Sequence, residues 1–297
     1  MTLNQKLRNK RIVITGASMG IGKAVALELA QQGASVVVNS RGANQADANL
    51  LEQLTQHIIA MDGVADYSYG DISDFDYAGK LIQLCCDRFG GIDGLINLAG
   101  IAEPEQSNLL NISPQDWQQV IDIHLHGTFN TCRHAAPLMA AQGSGVIINT
   151  GSHAFLGNYG GTAYAAAKGA INSFSAAIAK DLQASNVRCN VVLPGAKTRL
   201  SSGDAFKKNM LSLHARGLLS KERLTSALDA LPPSNIAPIY TYLVSDQAQL
   251  ITGKLYTCSG KHLGSFSWPD EKIQAYRETD QEGPWPEDKI FDLFNAQ

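Results

Sequence analysis

Two kinds of segment alternate along the chain. Short, near-continuous apolar runs stand at Arg11–Thr15, Ser35–Asn39, Gly94–Asn97, Gly145–Thr150 and Asn190–Leu193, with a weaker one at Tyr67–Tyr69. Their brevity and their wealth of Val and Ile predict buried strands. Between them lie longer stretches whose apolar residues recur three and four apart, as Ile21, Val25 and Leu29 do beside Ala24 and Leu27. That period predicts helices over Ile21–Gln32, Asp47–Met61, Tyr77–Arg88 and Pro114–Ala141. Stop and start signals agree with it. Gly33 follows the first helix as its C-cap, and Ser113 precedes Pro114 as N-cap and first helical residue. Strands that are apolar on both faces, each followed by a helix, predict an α/β fold: a doubly wound parallel sheet with helices on both faces.

Two segments depart from this rhythm. Residues 196–231 are polar, contain Ser201-Ser202-Gly203 and Lys207-Lys208, and end at Pro232-Pro233. They read as a lid with short helices that orders over a ligand. The last residues hold Trp268, Trp285 and prolines and read as an irregular C-terminal extension, 261–297, on a single domain of 1–260. Either those aromatics anchor the tail against a sister subunit or the site's mouth, or they pack on the surface. No internal repeat is visible.

Length and composition add limits. The 297 residues suit one large α/β domain or two small ones, and a formal charge of −3 gives no reason to expect nucleic acid or an anionic membrane. No basic segment with an apolar run opens the chain, and no apolar stretch is long enough to span a bilayer. Cys85, Cys86, Cys132, Cys189 and Cys258 lack metal-ligand spacing and read as small core residues in a reducing, cytoplasmic setting. No metal site is expected.

Candidate chemistry sits in two places. Thr15-Gly16-Ala17-Ser18-Met19-Gly20-Ile21-Gly22 joins the first strand to the first helix. Gly16 allows a tight turn, while Gly20 and Gly22 let backbone approach a pyrophosphate at the helix N-terminus. In the Rossmann plan an acid after the second strand receives the ribose of NAD. Here the strand ends Asn39-Ser40-Arg41, and a guanidinium suits a 2′-phosphate. NADP(H) is therefore the expected cofactor, with NAD(H) open if Arg41 is only a solvated cation. The second place is an Ala-rich helix carrying Tyr164 and Lys168 on one face, four residues apart. A phenol beside an ammonium is an acid whose pKa, ordinarily near ~10, can be drawn toward neutrality. Such a group can exchange a proton with an alcohol or a ketone.

These segments together resemble the short-chain dehydrogenase/reductase family over about residues 8–260. Besides the glycine loop, Gly70-Asp71-Ile72 is similar to the family's adenine-binding segment, Asn97-Leu98-Ala99-Gly100 to its N-N-A-G motif, and Pro194-Gly195 to the turn beside the nicotinamide. Ser152, Tyr164 and Lys168 match its catalytic triad. The resemblance implies Tyr164 as general acid/base, Lys168 as its pKa-lowering partner on the nicotinamide ribose, and Ser152 as the group that orients the substrate oxygen. It implies cofactor contacts at Gly16, Ser18, Gly20, Ile21, Gly22, Ser40, Arg41, Asp71, Ile72, Asn97, Ala99, Gly100, Pro194, Gly195 and Thr198. It also implies a homodimer or homotetramer. His124-Leu125-His126-Gly127 and Pro194–Leu200 further resemble the dehydrogenase unit of multifunctional enzyme type 2 and related bacterial reductases, which act on 3-hydroxyacyl thioesters or bulky alcohols.

Three departures from the family pattern stand out. His124 occupies the place of an Asn that holds a water in the proton relay, and it serves either as a relay member or as a satisfied core imidazole. Ser152 and Tyr164 are twelve positions apart, one fewer than the family commonly shows. Leu98 replaces an amide side chain, leaving its backbone to serve. Lys197 and Arg199 at the start of the lid either bind a phosphate or are solvated. The expected function is an NADP(H)-dependent ketoreductase or hydroxy-dehydrogenase acting on a small-molecule secondary alcohol or ketone, such as a 3-oxoacyl thioester or a bulky hydrophobic ketone. The alternative is an inactive dinucleotide-sensing or scaffold protein of the same fold.

Overall fold

The computed structural model describes residues 5–42, 45–104, 106–159, 161–278 and 282–295. Its centre is an eight-stranded sheet in the order β3-β2-β1-β4-β5-β6-β7-β8. The strands are β1 (Arg11–Thr15), β2 (Ser35–Ser40), β3 (Val64–Tyr69), β4 (Gly94–Asn97), β5 (Gly145–Thr150), β6 (Val187–Gly195), β7 (Leu255–Ser259) and β8 (His262–Phe266). The first seven run parallel to their neighbours, and β8 turns back antiparallel to β7. The apolar runs thus mark six of these strands. They miss β7, which mixes Tyr256 and Thr257 into its run, and β8, which is mostly exposed and carries no apolar pattern to read. The strand β8 falls in the stretch expected to be an irregular extension.

Helices α1 (Gly20–Gln31), α2 (Gln45–Ala60) and α3 (Phe75–Phe89) follow the first three strands. Gly33 follows α1 at φ +92°, where its amide closes onto Ala30. Strand side chains alternate between two layers. Ile12, Ile14, Val36, Val38 and Ile148 pack with Leu29 of α1 and Leu54 of α2. Val13, Val37, Leu95 and Ile147 face Leu81 of α3 together with Ala135 and Met139 on the opposite side. This two-sided burial is why the strands read as continuous apolar runs. Four cysteines lie fully inside and Cys86 partly so, and burial pushes the Cys85 and Cys132 thiols up to about 12.

The helix expected over Pro114–Ala141 is interrupted. It begins as α4 (Pro114–Ile121), with Ser113 Oγ accepting from the Asp116 amide, and resumes as α5 (Gly127–Gln142). Between them Asp122–His126 form one π-helical turn. The extra residue in that turn shifts the helix phase, and spacing of apolar residues alone did not register it. The remaining helices are α6 (Ala163–Asp181), α7 (Asp204–Ala215), α8 (Lys221–Leu228), α9 (Ala237–Val244) and α10 (Glu287–Asn295).

Internal packing divides the chain into two compact units, Met1–Phe266 and Ser267–Gln297. Within the second, the Arg277 guanidinium stands 5.8 Å from the Trp285 ring, and its Nε donates to the Gly283 carbonyl. Among the described residues no helix is long and apolar enough to cross a membrane, and no cluster of His, Cys, Asp and Glu could hold a metal.

Candidate active site

The strand order reverses between β1 and β4, and a crevice opens at their carboxyl ends. It continues into a cleft of about 2110 Å³ that reaches the α7–α8 segment. Gly16, Ser18, Gly20, Ile21, Gly22, Ser40, Arg41, Asp71 and Ile72 line one end, followed by Ala99, Gly100, Pro194, Gly195 and Thr198. His124, Ser152, Tyr164 and Lys168 line its middle. Asn97 does not line it: its amide donates to Asn149 Oδ1 at 2.9 Å, and its Oδ1 accepts from Thr131 at 2.8 Å. It ties β4 to β5 and α5 beneath the cleft floor.

The glycine loop is shaped by close approach. Gly16 has φ +68°, and a Cβ there would stand 2.6 Å from the Ala99 Cα. A Cβ on Gly22 would meet the Gly16 carbonyl at 2.3 Å. No side chain caps α1, so its first-turn amides face the cleft as an anion site. Leu98 and Ala99 donate their amides to Thr15 Oγ1, which ties the segment after β4 to the end of β1. At the end of β2, Asn39 is turned inward, donating to the Gly70 carbonyl at 3.2 Å and to the Tyr77 phenol at 2.9 Å. Ser40 Oγ beside it is buried without a hydrogen-bond partner. Arg41 is exposed at the rim. Asp71 Oδ1 accepts from the Ser73 amide and hydroxyl, which fixes the loop after β3. The uncapped helix, the tight glycine turn and the orphaned serine hydroxyl fit a nicotinamide dinucleotide.

Helix α6 carries the reacting residues. Ala163, Ala167 and Ile171 bury one face, and Lys168 is itself only 3% exposed. Its Nζ donates to the Thr150 carbonyl at 2.7 Å, at the end of β5, and stands 5.6 Å from the Tyr164 ring centre. Ser152 caps the short 3-10 turn His153–Leu156, accepting from the Ala154 amide at 3.2 Å, and its hydroxyl lies close enough to the Tyr164 phenol to lower that group's pKa. The loop that is one residue short therefore still brings Ser152 to Tyr164.

The N-terminus of α6 has no cap from Thr162. Glu103, on the segment after β4, supplies one instead: it accepts from the Thr162 amide at 3.1 Å and from the Tyr164 amide at 2.8 Å. Ser107 Oγ donates to the same carboxylate at 2.6 Å. A Cβ on Gly161, at φ +77°, would come within 2.5 Å of Glu103 Oε2, so glycine there makes room for it.

His124 lies in the π turn and is buried. Its Nε2 stands 2.9 Å from the Ile101 carbonyl, and its ring meets Tyr164 edge-on with centres 5.0 Å apart. Its Nδ1 is buried without a partner. Burial, then the Lys168 charge, push this imidazole down to about 3. It is neutral at any ordinary pH. A Cβ on Gly100 would come within 2.4 Å of its Cε1.

The electrostatics of the Tyr–Lys pair differ from the simple two-charge expectation. Burial raises the Tyr164 pKa, and the opposing influence is the Ser152 hydrogen bond. Burial also brings Lys168 down to about 7. Desolvation disfavours the charged form of both groups, so it acts on the phenol and the amine in opposite directions.

The lid segment holds α7 and α8, joined through buried Met210, Leu213 and Leu219 with Tyr159, Phe206, Leu224 and Ala227 packed against them. Arg199 lines the cleft, and Lys197 does not. Glu103, Thr150, Tyr159 and Arg223 were not marked by any motif. Each acts through a partner distant in sequence, and a lone acid or aromatic on a loop gives no pattern to find.

The model of the family described as short chain dehydrogenase matches residues 10–204. Cyclohexanol dehydrogenase of Acinetobacter sp. (strain SE19) is 31% identical over 264 residues, covering 88% of this chain and 97% of that protein. A 3-oxoacyl-[acyl-carrier-protein] reductase of Thermotoga maritima is 29% identical over 262 residues, covering 86% of this chain and 98% of that one. The crystal structure of a short chain dehydrogenase from Mycobacterium avium superposes with a TM-score of 0.79 at 29% identity, covering 97% of this chain and 95% of that one.

Proposed function

This chain belongs to the short-chain dehydrogenase family, and from that membership we propose that it is an NADP(H)-dependent oxidoreductase interconverting a secondary alcohol and a ketone, with Tyr164 as general acid/base. The observation that carries the reading is the meeting of Ser152, Tyr164 and Lys168 in the same cleft as the glycine loop. A cofactor bound there supplies or accepts the hydride. Ser18 and the α1 amides would hold its pyrophosphate, Ser40 and Arg41 a 2′-phosphate, Asp71 and Ile72 the adenine, and Lys168 the ribose.

This chain's own part in the reaction is proton transfer and orientation. In reduction, Ser152 donates to the carbonyl oxygen and stabilises the charge that builds there. Tyr164 then delivers its phenolic proton to that oxygen. Lys168, held over the Thr150 carbonyl, favours the phenolate that results. His124 stays neutral and braces the phenol's ring edge-on. The substrate class follows the relatives: one is named for cyclohexanol and another for a 3-oxoacyl-[acyl-carrier-protein], and a cleft of about 2110 Å³ with both apolar and charged residues along its 196–231 side has room for either.

The test is reduced-nicotinamide absorbance with cyclic ketones, 3-oxoacyl thioesters and the matching alcohols, each with both cofactors. Turnover with NADPH above NADH is expected. Cofactor binding with no turnover on any compound would favour a dinucleotide sensor and sink the enzymatic reading.

A further inference from the structure

The lid end of the cleft is built differently from the rest. Segment 196–231 carries seven Lys and Arg against three Asp and Glu, a surplus of four positive charges in a chain whose net charge is −3. Arg199, Lys208, Arg216 and Arg223 all line the cleft, while Glu222 is the lid carboxylate that lines it. Asp229 is taken up by Lys261. Arg199, Lys208 and Arg216 act as a solvated positive rim.

Arg223 is different. It sits in the first turn of α8 and is half-buried, and its Nη1 is fully enclosed without a hydrogen-bond partner. A buried guanidinium nitrogen with no acceptor is costly to keep. Glu222 precedes it and is exposed, and two neutral groups face it. The Tyr159 phenol lies against it, raised by burial and lowered by the guanidinium charge. The His153 imidazole is held down to about 4 by burial and by Arg223 and His262, so it adds no charge near neutral pH. His153 lies one residue after Ser152, and its ring packs 5.8 Å from Phe266. Phe206, Met210, Leu213 and Ala227 line the same cleft and pack in one apolar cluster with Tyr159.

We propose that this corner is a subsite for an anionic end group on the substrate, received by Arg223 with Tyr159 and His153 as neutral hydrogen-bonding neighbours. The ligand is then an amphipathic molecule. Its reacting carbon lies at Tyr164, its apolar body lies along the lid, and its carboxylate or phosphate faces the guanidinium, whose planar fork matches either anion. The assignment rests on the reading of the cleft's middle as the reacting centre.

The test is a binding measurement that does not depend on turnover. Straight-chain alkanoates, alkyl monophosphates and the matching neutral alkanamides are titrated calorimetrically into the full-length protein saturated with NADP⁺, which keeps the cofactor's phosphate sites filled. Over some chain length an anion is expected to bind about 10- to 100-fold tighter than its amide, the range of a hydrogen bond to a charged group. The preference should collapse in Arg223→Leu and persist in part in Arg223→Lys, with thermal melts to confirm folding. The tighter of the two anion series tells carboxylate from phosphate. Equal affinity of anions and amides in the native protein, or a preference unchanged in Arg223→Leu, overturns the proposal. Failure of every ketone to be reduced, with the anion preference intact, would sink the redox reading and leave the subsite standing.

Discussion

Removing the Glu103 carboxylate tests how Tyr164 is held. Helix α6 begins without a side-chain cap from Thr162, and Glu103 does the capping from the segment after β4. Glu103→Ala strips two charge-assisted hydrogen bonds from first-turn amides and one from Ser107. Loss of an N-cap costs ~0.5–2 kcal/mol, and an anion at a helix N-terminus adds ~0.3–1 kcal/mol. Glu103 is half-buried, so the sum is about 2 kcal/mol. The rest of α6 is anchored by buried Ala167, Ile171 and Ile178. The loss therefore falls on the first turn, which carries Tyr164.

If that loosening is felt mainly at the phenol, 1.4–2 kcal/mol of lost positioning lowers kcat about 10- to 30-fold. Glu103→Gln keeps one acceptor for the Tyr164 amide but turns an NH₂ toward the other donor, so it should fall between. Gly161→Ala should mimic the alanine variant, because its Cβ would displace the carboxylate. The assay pairs steady-state kinetics on a ketone with hydrogen exchange at the amides of 162–166. Faster exchange there, with kcat reduced and the cofactor's KM little changed, is expected. A Glu103→Ala protein that keeps kcat within about twofold and keeps its exchange protection would refute the reasoning.

Three further outcomes are expected. Tyr164→Phe should lose about 10²–10⁴-fold in kcat while fluorescence titration shows the cofactor still bound; retention of most of kcat would end its assignment as acid/base. Arg41→Ala should raise the KM for NADPH about tenfold and leave that for NADH nearly unchanged, and equal effects on both would remove the case for a 2′-phosphate contact. Stability should fall on acidification, because His124 sits at about 3 in the fold against 6.5 when unfolded. Between those values the unfolded chain binds the extra proton, so the contribution present above pH 6.5 is lost as pH drops, by about 2 kcal/mol near pH 5. Denaturant melts of His124→Asn should show a flatter pH dependence over that range, and an unchanged slope would contradict a buried neutral imidazole.

What could be read from sequence was local or repetitive. Strands buried on both faces leave continuous Val and Ile runs, so the order of β1 to β6 and the glycine turn after β1 were visible. Strand β8 was not, since an edge strand with exposed side chains needs no apolar pattern. The π turn was hidden for a related reason: an inserted residue changes helix phase but not composition, and His124 owes its place beside Tyr164 to it. Asn97 shows what a motif match leaves out: its side chain bridges Asn149 and Thr131 under the cleft, a structural tie that the resemblance did not point to. The cap on α6 joins residues 59 and 61 positions apart, and no spacing rule reaches that far.

The Tyr164–Lys168 pair shows why a motif does not settle its own energetics. A full positive charge 5.6 Å from the ring centre would favour the phenolate by roughly 3 kcal/mol at an effective dielectric of 20. Burial lowers Lys168 from its usual range to about 7, which weakens the hold of its charge on the phenol. Burial meanwhile raises the phenol. Ser152 provides the lowering influence that does not depend on the lysine's protonation. The acid strength of Tyr164 is thus shared among the Ser152 hydroxyl just past the end of β5, an amine anchored on Thr150 whose charge burial disfavours, and the desolvation that both groups undergo.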